Sequence, residues 1–306
     1  MRRGKGVRFG VIGVGSMGKN HARVLADLPG VRLAGVADTS RELAEASGQH
    51  LDVPWFDDYH NLLPEIDAAV VVTPTSTHFE IAQTCLQAGK HLLVEKPLTG
   101  VSSLARSLVS LAADKNLVLA VGMVERFNPA FPKLLKAIKG EKIIGIDIKR
   151  LSPFPDRITD TDVVFDMMIH DLDLFIHLFP DEVVDLKVKG EKIRTKKLDR
   201  VVATLTHKNG AISRIEASRV FGSRTRNITV TTDRSLYDAD LLNKKIYIRD
   251  FTSPTPTTLP LKPVDQLTLE HKDFLAAIKT GRAPLVSGTD FIRVLEMTEE
   301  VERLAA

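Results

Sequence analysis

The sequence predicts two α/β units in succession: a parallel sheet covered by helices, then an open, mainly antiparallel sheet with fewer helices. Three observations predict this. Up to about residue 122, strands with almost no polar alternation take turns with amphipathic helices, so the strands are buried on both faces. Beyond that point the strands lengthen and alternate apolar with polar residues, the pattern of a sheet with one face covered. A glycine-rich turn joins the first strand to the first helix. The expected domains are 1–122 and 123–306.

In the first domain, "VRFGVIGVG" (7–15) is a continuous apolar strand and "MGKNHARVLADL" (17–28) a helix. "VRLAGVAD" (31–38) is the next strand, "SRELAEASGQH" the next helix, and "AAVVVTP" (68–74) another strand. The helix "HFEIAQTCLQAG" carries glycine at its end, where a left-handed residue stops a helix. "HLLVEKP", the helix "SSLARSLVSLAADKN" and the strand "LVLAVGM" complete the domain. The second domain opens with the helix "NPAFPKLLKAIKG". Its alternating strands are "KIIGIDIKRL", "VVDLKVKGEKI", "RVVATLTHK", "AISRIEASRV", "RNITVTT" and "KKIYIRD". The helix "VVFDMMIHDLDLFIHLFP" lies between the first two, and "LTLEHKDFLAAIKTG" and "GTDFIRVLEMTEEVERLA" close the chain.

Bulk composition excludes several classes. A net charge of +3 is too small for a nucleic-acid binder. The lone cysteine, Cys85, has no internal disulfide partner, which fits a reducing cytoplasm. The amino-terminal apolar run is short, rich in glycine and lacks a small-x-small cleavage site, so it does not read as a signal peptide. No stretch approaches the roughly 18–20 apolar residues of a membrane span. The basic stretch "LKVKGEKIRTKKLDR" (186–200) has no interleaved aromatics and reads as a strand edge with solvated lysines.

The turn "GVGSMG" places Gly13, Gly15 and Gly18 in G-x-G-x-x-G spacing, with Ser16 and Met17 opening the helix. Gly13 permits the tight turn, Gly15 lets the backbone reach a pyrophosphate at the helix amino terminus, and Gly18 lets helix and strand pack. Asp38, at the end of the second strand, can accept hydrogen bonds from a ribose 2′-hydroxyl and repels a 2′-phosphate, which favours NAD over NADP.

Two more strand ends carry chemistry. In "TPTSTH" the residues Thr73, Pro74 and Thr75 are candidate contacts for the nicotinamide half of the cofactor, and His78 on the first helical turn is counted with them. The alternative is that Thr75, Ser76 and Thr77 simply cap the helix. "HLLVEKPLTG" ends a buried strand in Glu95 and Lys96 before Pro97. Charges there are costly unless they face a cleft, and the carboxyl edge of such a sheet is where ligands bind. Glu95 and Lys96 are therefore counted as cofactor contacts, and an ammonium facing the nicotinamide can hydrogen-bond a substrate hydroxyl and stabilise the developing alkoxide.

The helix "FDMMIHDLDLFIHLF" carries a polar stripe of Asp166, His170, Asp173 and His177. Asp166 can orient His170 in one tautomer and leave its other nitrogen as a general base. A metal site is not expected, because no second set of His or Cys stands at ligand spacing.

The motifs "GVGSMG" with His21 after it, "TPTSTH", "AGKHLLVEKPL" and "DMMIHDLD" together resemble the Gfo/Idh/MocA oxidoreductase family over nearly the whole chain. The resemblance implies an amino-terminal Rossmann domain and a carboxyl-terminal domain whose open sheet often serves oligomerisation, here into a homodimer or homotetramer. It implies NAD-dependent oxidation at a CH–OH group, with Lys96, Asp166 and His170 as catalytic residues and a cis peptide before Pro97. The segments "VGMVERFNPAF" and "RLSPFPDRI" are similar to members acting on nucleotide-linked amino sugars, although Met123 stands where histidine is expected. That narrower similarity implies oxidation of a UDP-sugar, UDP-N-acetylglucosamine to its 3-keto form, with Glu125, Arg126, Asn128 and Arg157 near the substrate and an aminotransferase as pathway partner. Asn128 also reads as a helix cap ahead of Pro129, which leaves Arg126 for a phosphate. Two other readings stay open: the same chemistry on a free sugar or inositol, and a non-catalytic sensor of dinucleotide and sugar.

Overall fold

The computed structural model describes residues 6–154 and 161–306, so Arg157, an expected substrate residue, lies outside the described residues. Two compact units emerge. One runs to Val124 and adds Asp265–Arg293; the other takes Glu125–Val264 and Val294–Ala306.

The first unit is built on six parallel strands: β1 (Val7–Ile12), β2 (Val31–Ala37), β3 (Trp55–Phe56), β4 (Ala68–Val71), β5 (His91–Glu95) and β6 (Leu119–Gly122). Their order across the sheet is β3-β2-β1-β4-β5-β6. Chain order reverses beside β1, so the ends of β1 and β4 flank the crevice where doubly wound sheets bind ligands. The connecting helices are α1 (Ser16–Asp27), α2 (Arg41–Leu51), α3 (Thr75–Gln87) and α4 (Ser102–Asp114). The short strand β3, which sequence periodicity does not reveal, follows Pro54 at the sheet edge. Helix α3 starts three residues earlier than expected, directly after Pro74 at φ −57°, an angle already suited to a helix.

Helix α7 (Gln266–Thr280) belongs to the first unit, which corrects the expected domain division. Its apolar stripe is the reason. Phe274 meets Phe9 edge to face, with ring centroids 5.7 Å apart, and Leu275 joins the core formed by Val11, Leu25, Val36 and Val70.

The second unit opens with α5 (Ala130–Ala137). Its eight strands are β7 (Ile143–Leu151), β8 (Val183–Glu191), β9 (Arg200–His207), β10 (Ile212–Ser218), β11 (Thr225–Thr232), β12 (Ser235–Asp240), β13 (Lys245–Asp250) and β14 (Thr257–Leu259). They lie in the order β14-β13-β12-β11-β7-β10-β9-β8, and only the β7–β10 pair is parallel. Burial alternates along β9, as the period-two pattern predicts. Strand β12 ("SLYDAD") is weakly apolar; Ser235, Tyr237 and Ala239 fill its buried side, which hides it from a hydrophobicity pattern. The expected helix after β7 is a π-helical turn, Val164–Met168, running into α6 (Ile169–Leu178). Helix α8 (Gly288–Ala305) begins in the first unit and ends in the second. Among the described residues, no helix is long and apolar enough to cross a membrane.

Candidate active site

The glycine loop after β1 divides its work among three positions. Gly13 takes φ +89°, and its N–H donates to the Ala37 carbonyl at 2.8 Å, tying the turn to β2. A Cβ on Gly13 would lie 2.6 Å from the Val72 carbonyl oxygen, and one on Gly18 would lie 1.9 Å from that of Gly13. Gly15 is different: a Cβ there would meet nothing within 4 Å. That open side is what a pyrophosphate approaching the backbone requires, and α1 behind it starts at Ser16 and Met17 with no side-chain cap. Asp38 is fixed in place. Its Oδ2 accepts the Val14 N–H at 2.8 Å and its Oδ1 the Ser40 N–H at 2.9 Å. The glycines, the uncapped helix and the anchored carboxylate fit a dinucleotide.

At the end of β4, the capping alternative for Thr75, Ser76 and Thr77 is not what forms. The Thr77 hydroxyl lies 2.8 Å from both the Thr73 hydroxyl and the Pro74 carbonyl, and α3 has no side-chain cap. Thr73 and Thr75 stay half-buried at the sheet edge. His78, expected as a cofactor contact, is buried, with its ring nitrogens each 2.8 Å from a main-chain oxygen, of Pro97 and of Thr73. It braces the ends of β4 and β5 against each other, and the expectation is corrected accordingly.

At the end of β5, Glu95 turns back on its own chain. Its Oε2 accepts the Lys96 N–H at 3.1 Å, and its Oε1 lies 3.0 Å from Nε2 of His21. The Lys96–Pro97 peptide is cis, as the resemblance implied. Lys96 itself is half-buried.

In the second unit Asp166 lies within the π-helical turn and His170 in the first turn of α6, both half-buried. π-helical turns are rare and occur frequently at functional sites. The other expected substrate residues are drawn into two buried charge networks. Arg126 Nη1 donates to Asp173 Oδ1 at 3.1 Å and lies 2.7 Å from His177 Nδ1. With its guanidinium engaged there and its side chain buried, the expectation that capping leaves Arg126 for a phosphate is corrected. Asn128 Oδ1 accepts the Ala130 N–H at 3.2 Å just ahead of α5, whose capping position is Pro129, while its amide donates to the Leu241 carbonyl and to Glu125.

Glu125 belongs to the second network. Arg150 Nη1 donates to Glu125 Oε1 at 3.2 Å, Arg150 Nε to Asp171 at 3.0 Å, and Arg226 Nη1 to Glu125 Oε1 at 2.8 Å. Burial pushes the Glu125 carboxyl up, but Arg150 and Arg226 together outweigh it and hold it below the usual range. At Asp171 burial wins over Arg150 and leaves the carboxyl above its usual value. Arg150, Asp171 and Arg226 escaped sequence reasoning. A signal existed for one of them: Ile146, Ile148 and Arg150 share the buried parity of β7, and a charge at a core position demands a partner.

Residues 7–123 match a family model described as an oxidoreductase family, NAD-binding Rossmann fold, and residues 149–236 match the GFO/IDH/MocA C-terminal domain. The UDP-N-acetylglucosamine 3-dehydrogenase of Acidithiobacillus ferrooxidans is 37% identical over 96% of both chains. Its solved structure superposes with a TM-score of 0.92 at 36% identity, covering 98% of each chain. The scyllo-inositol 2-dehydrogenase (NAD(+)) of Bacillus subtilis is 26% identical, covering 95% of this chain and 92% of its own. The structure of a levoglucosan dehydrogenase with NADH and levoglucosan shares the fold at 19% identity and a TM-score of 0.87, with coverage of 98% and 97%. The glycine loop and anchored Asp38, the Glu-Lys-Pro strand end and the two matched domains lead to one conclusion: the chain belongs to the Gfo/Idh/MocA oxidoreductase family and its cofactor is NAD.

Proposed function

We propose that this oxidoreductase oxidises a ring hydroxyl of a nucleotide-linked amino sugar, converting UDP-N-acetylglucosamine to its 3-keto form. The observation that carries the proposal is the 37% identity, over 96% of both chains, to an enzyme of that activity, against 26% to an inositol dehydrogenase. Bound NAD⁺ supplies the acceptor for the hydrogen and electron pair that leave the carbon. His170 takes the hydroxyl proton, Asp166 orients His170, and the Lys96 ammonium steadies the negative charge that develops on the oxygen. Of the two arginines expected at the diphosphate, Arg126 is spent on Asp173 and His177, which leaves Arg157. A guanidinium fork suits phosphate oxygens. A sensor has no use for Lys96, Asp166 and His170 together, so the catalytic reading is preferred.

The reading extends to a cytoplasmic homodimer or homotetramer formed through the uncovered face of the second sheet, and to an aminotransferase that consumes the ketone.

Oxidising a secondary alcohol with NAD⁺ is unfavourable near neutral pH, so the decisive assay traps the product. UDP-sugars, free sugars and inositol are each offered with NAD⁺ and hydroxylamine. NADH and trapped ketone are expected with UDP-N-acetylglucosamine, and little with free N-acetylglucosamine. Robust oxidation of inositol or a free hexose, with none of any UDP-sugar, would sink the substrate assignment.

Cofactor choice follows from Asp38. Two backbone N–H groups hold its carboxylate, so it has little freedom to swing away from a 2′-phosphate. Fluorescence titration is expected to show tighter binding of NADH than of NADPH. Equal affinities would refute the repulsion argument.

A further inference from the structure

Behind the end of β5 lies a buried polar cluster that the chemistry above does not use. His21 on α1 sets Nε2 3.0 Å from Glu95 Oε1 and Nδ1 2.9 Å from Nε2 of His271 on α7. The two rings are buried and meet edge to face, with centroids 5.0 Å apart. Glu270, beside His271 in the chain, is buried as well, and neither of its oxygens has a hydrogen-bond partner among the described residues. One side-chain atom from each of His21, Glu95 and Glu270 lies within 4.8 Å of the others.

The hydrogen directions follow from one end. Glu95 already accepts the Lys96 N–H on Oε2, so as a carboxylate its Oε1 takes the hydrogen of His21 Nε2. His21 Nδ1 is then an acceptor and receives the Nε2–H of His271. That order leaves His271 Nδ1, which is buried without a partner, as a bare acceptor and not a stranded N–H. Burial, and then the neighbouring His21, hold His271 far below its usual titration range, so it stays neutral.

Glu270 completes the arrangement by staying uncharged. An ionised Glu270 would face Glu95 across the cluster and Asp273 on its own helix, with no donor to compensate. Burial first, then the charges of Glu95 and Asp273, raise its carboxyl well above the usual range. Of the two neighbouring carboxyl groups, it is Glu270 that keeps a proton, while Glu95 accepts from its two donors.

We propose that His21 and His271 are positioning residues: they hold the Glu95 carboxylate as a fixed double acceptor and, through it, the backbone of Lys96. The catalytic consequence rests on the role assigned to Lys96 above. The placement of the Lys96 backbone does not.

Four measurements test it. In His21→Phe, which keeps a ring and loses both nitrogens, kcat is expected to fall roughly 10- to 100-fold, the scale of one hydrogen bond to a charged group, with KM and NADH affinity unchanged. Without any substrate, the Lys96 amide is expected to exchange with deuterium faster in His21→Phe than in the wild type. The infrared spectrum of the wild type near neutral pH is expected to contain a protonated-carboxylic-acid band that Glu270→Gln removes. For a carboxyl with a raised folded pKa, stability is present at low pH and lost as pH rises past the unfolded value near 4.5. Glu270→Gln is therefore expected to gain on the wild type with rising pH, by up to tenfold in the folding constant per pH unit. An unchanged Lys96 amide, a missing acid band, or one equivalent of tightly held divalent metal in the purified protein would overturn the proposal, since a metal would take Glu270 as an anion. If the wild type oxidises no sugar, the functional reading fails, while the exchange, infrared and stability results still decide the cluster.

Discussion

Lys96→Met is expected to bind NADH like the wild type and to turn over about 10²–10⁴-fold more slowly, the range for losing a positioned electrostatic or acid/base group. That factor corresponds to roughly 3–5 kcal/mol of transition-state stabilisation. Methionine keeps most of the length of lysine and removes only the ammonium, so the variant isolates charge from bulk. NADH affinity is expected to rest mainly on the glycine loop after β1 and on Asp38 after β2, which the substitution leaves untouched. The backbone of Lys96 is held by Glu95, an interaction that the substitution leaves intact. Stopped-flow NADH binding beside steady-state turnover separates the two effects. Turnover within a few-fold of the wild type would reduce Lys96 to a surface charge, whose pairing is worth about 0–1 kcal/mol.

The first unit was legible because its local signals agree. Unbroken apolar strands and a glycine spacing with one job per glycine have a mechanical cause that the geometry bears out at Gly13 and Gly18, and the acidic residue at the next strand end, Asp38, is fixed by two backbone N–H groups. What escaped is buried polar chemistry that occupies positions a pattern assigns to the core. On α7 the buried stripe is Leu267, Glu270, His271, Phe274 and Leu275, so a carboxyl and an imidazole stand where apolar residues belong. Arg150 does the same on β7. A hydrophobicity pattern averages over such residues. Their partners, Glu95 and His21 for one group and Glu125 and Asp171 for the other, are distant in sequence and meet only in the fold. The opposite error befell Arg126, whose capping context reads as an open guanidinium until Asp173 and His177 are found on it.

Arg150→Met is expected to destabilise the second unit by about 3–5 kcal/mol, the cost of leaving buried charges without their partner. Arg150 bridges Glu125 and Asp171, and all three are buried. Methionine fills much of the space but leaves Asp171 with Arg226, which already serves Glu125. The pH dependence has a definite sign. Asp171 is already raised by burial, with Arg150 opposing, so removing Arg150 raises it further. A raised carboxyl contributes stability below its unfolded value and loses it as pH rises. The deficit of the variant is therefore expected to be small near pH 4 and to grow toward neutrality. Urea unfolding followed by circular dichroism measures it, with fluorescence of Trp55, the chain's one tryptophan, as a separate reporter on the first unit. A double variant decides the cause. Arg150→Met with Asp171→Leu removes one charge of each sign and leaves Glu125 with Arg226, so much of the lost stability is expected to return. If the double variant is as unstable as the single one, the loss comes from packing around residue 150. If Arg150→Met itself unfolds within about 1 kcal/mol of the wild type, the buried pair contributes no more than an exposed one.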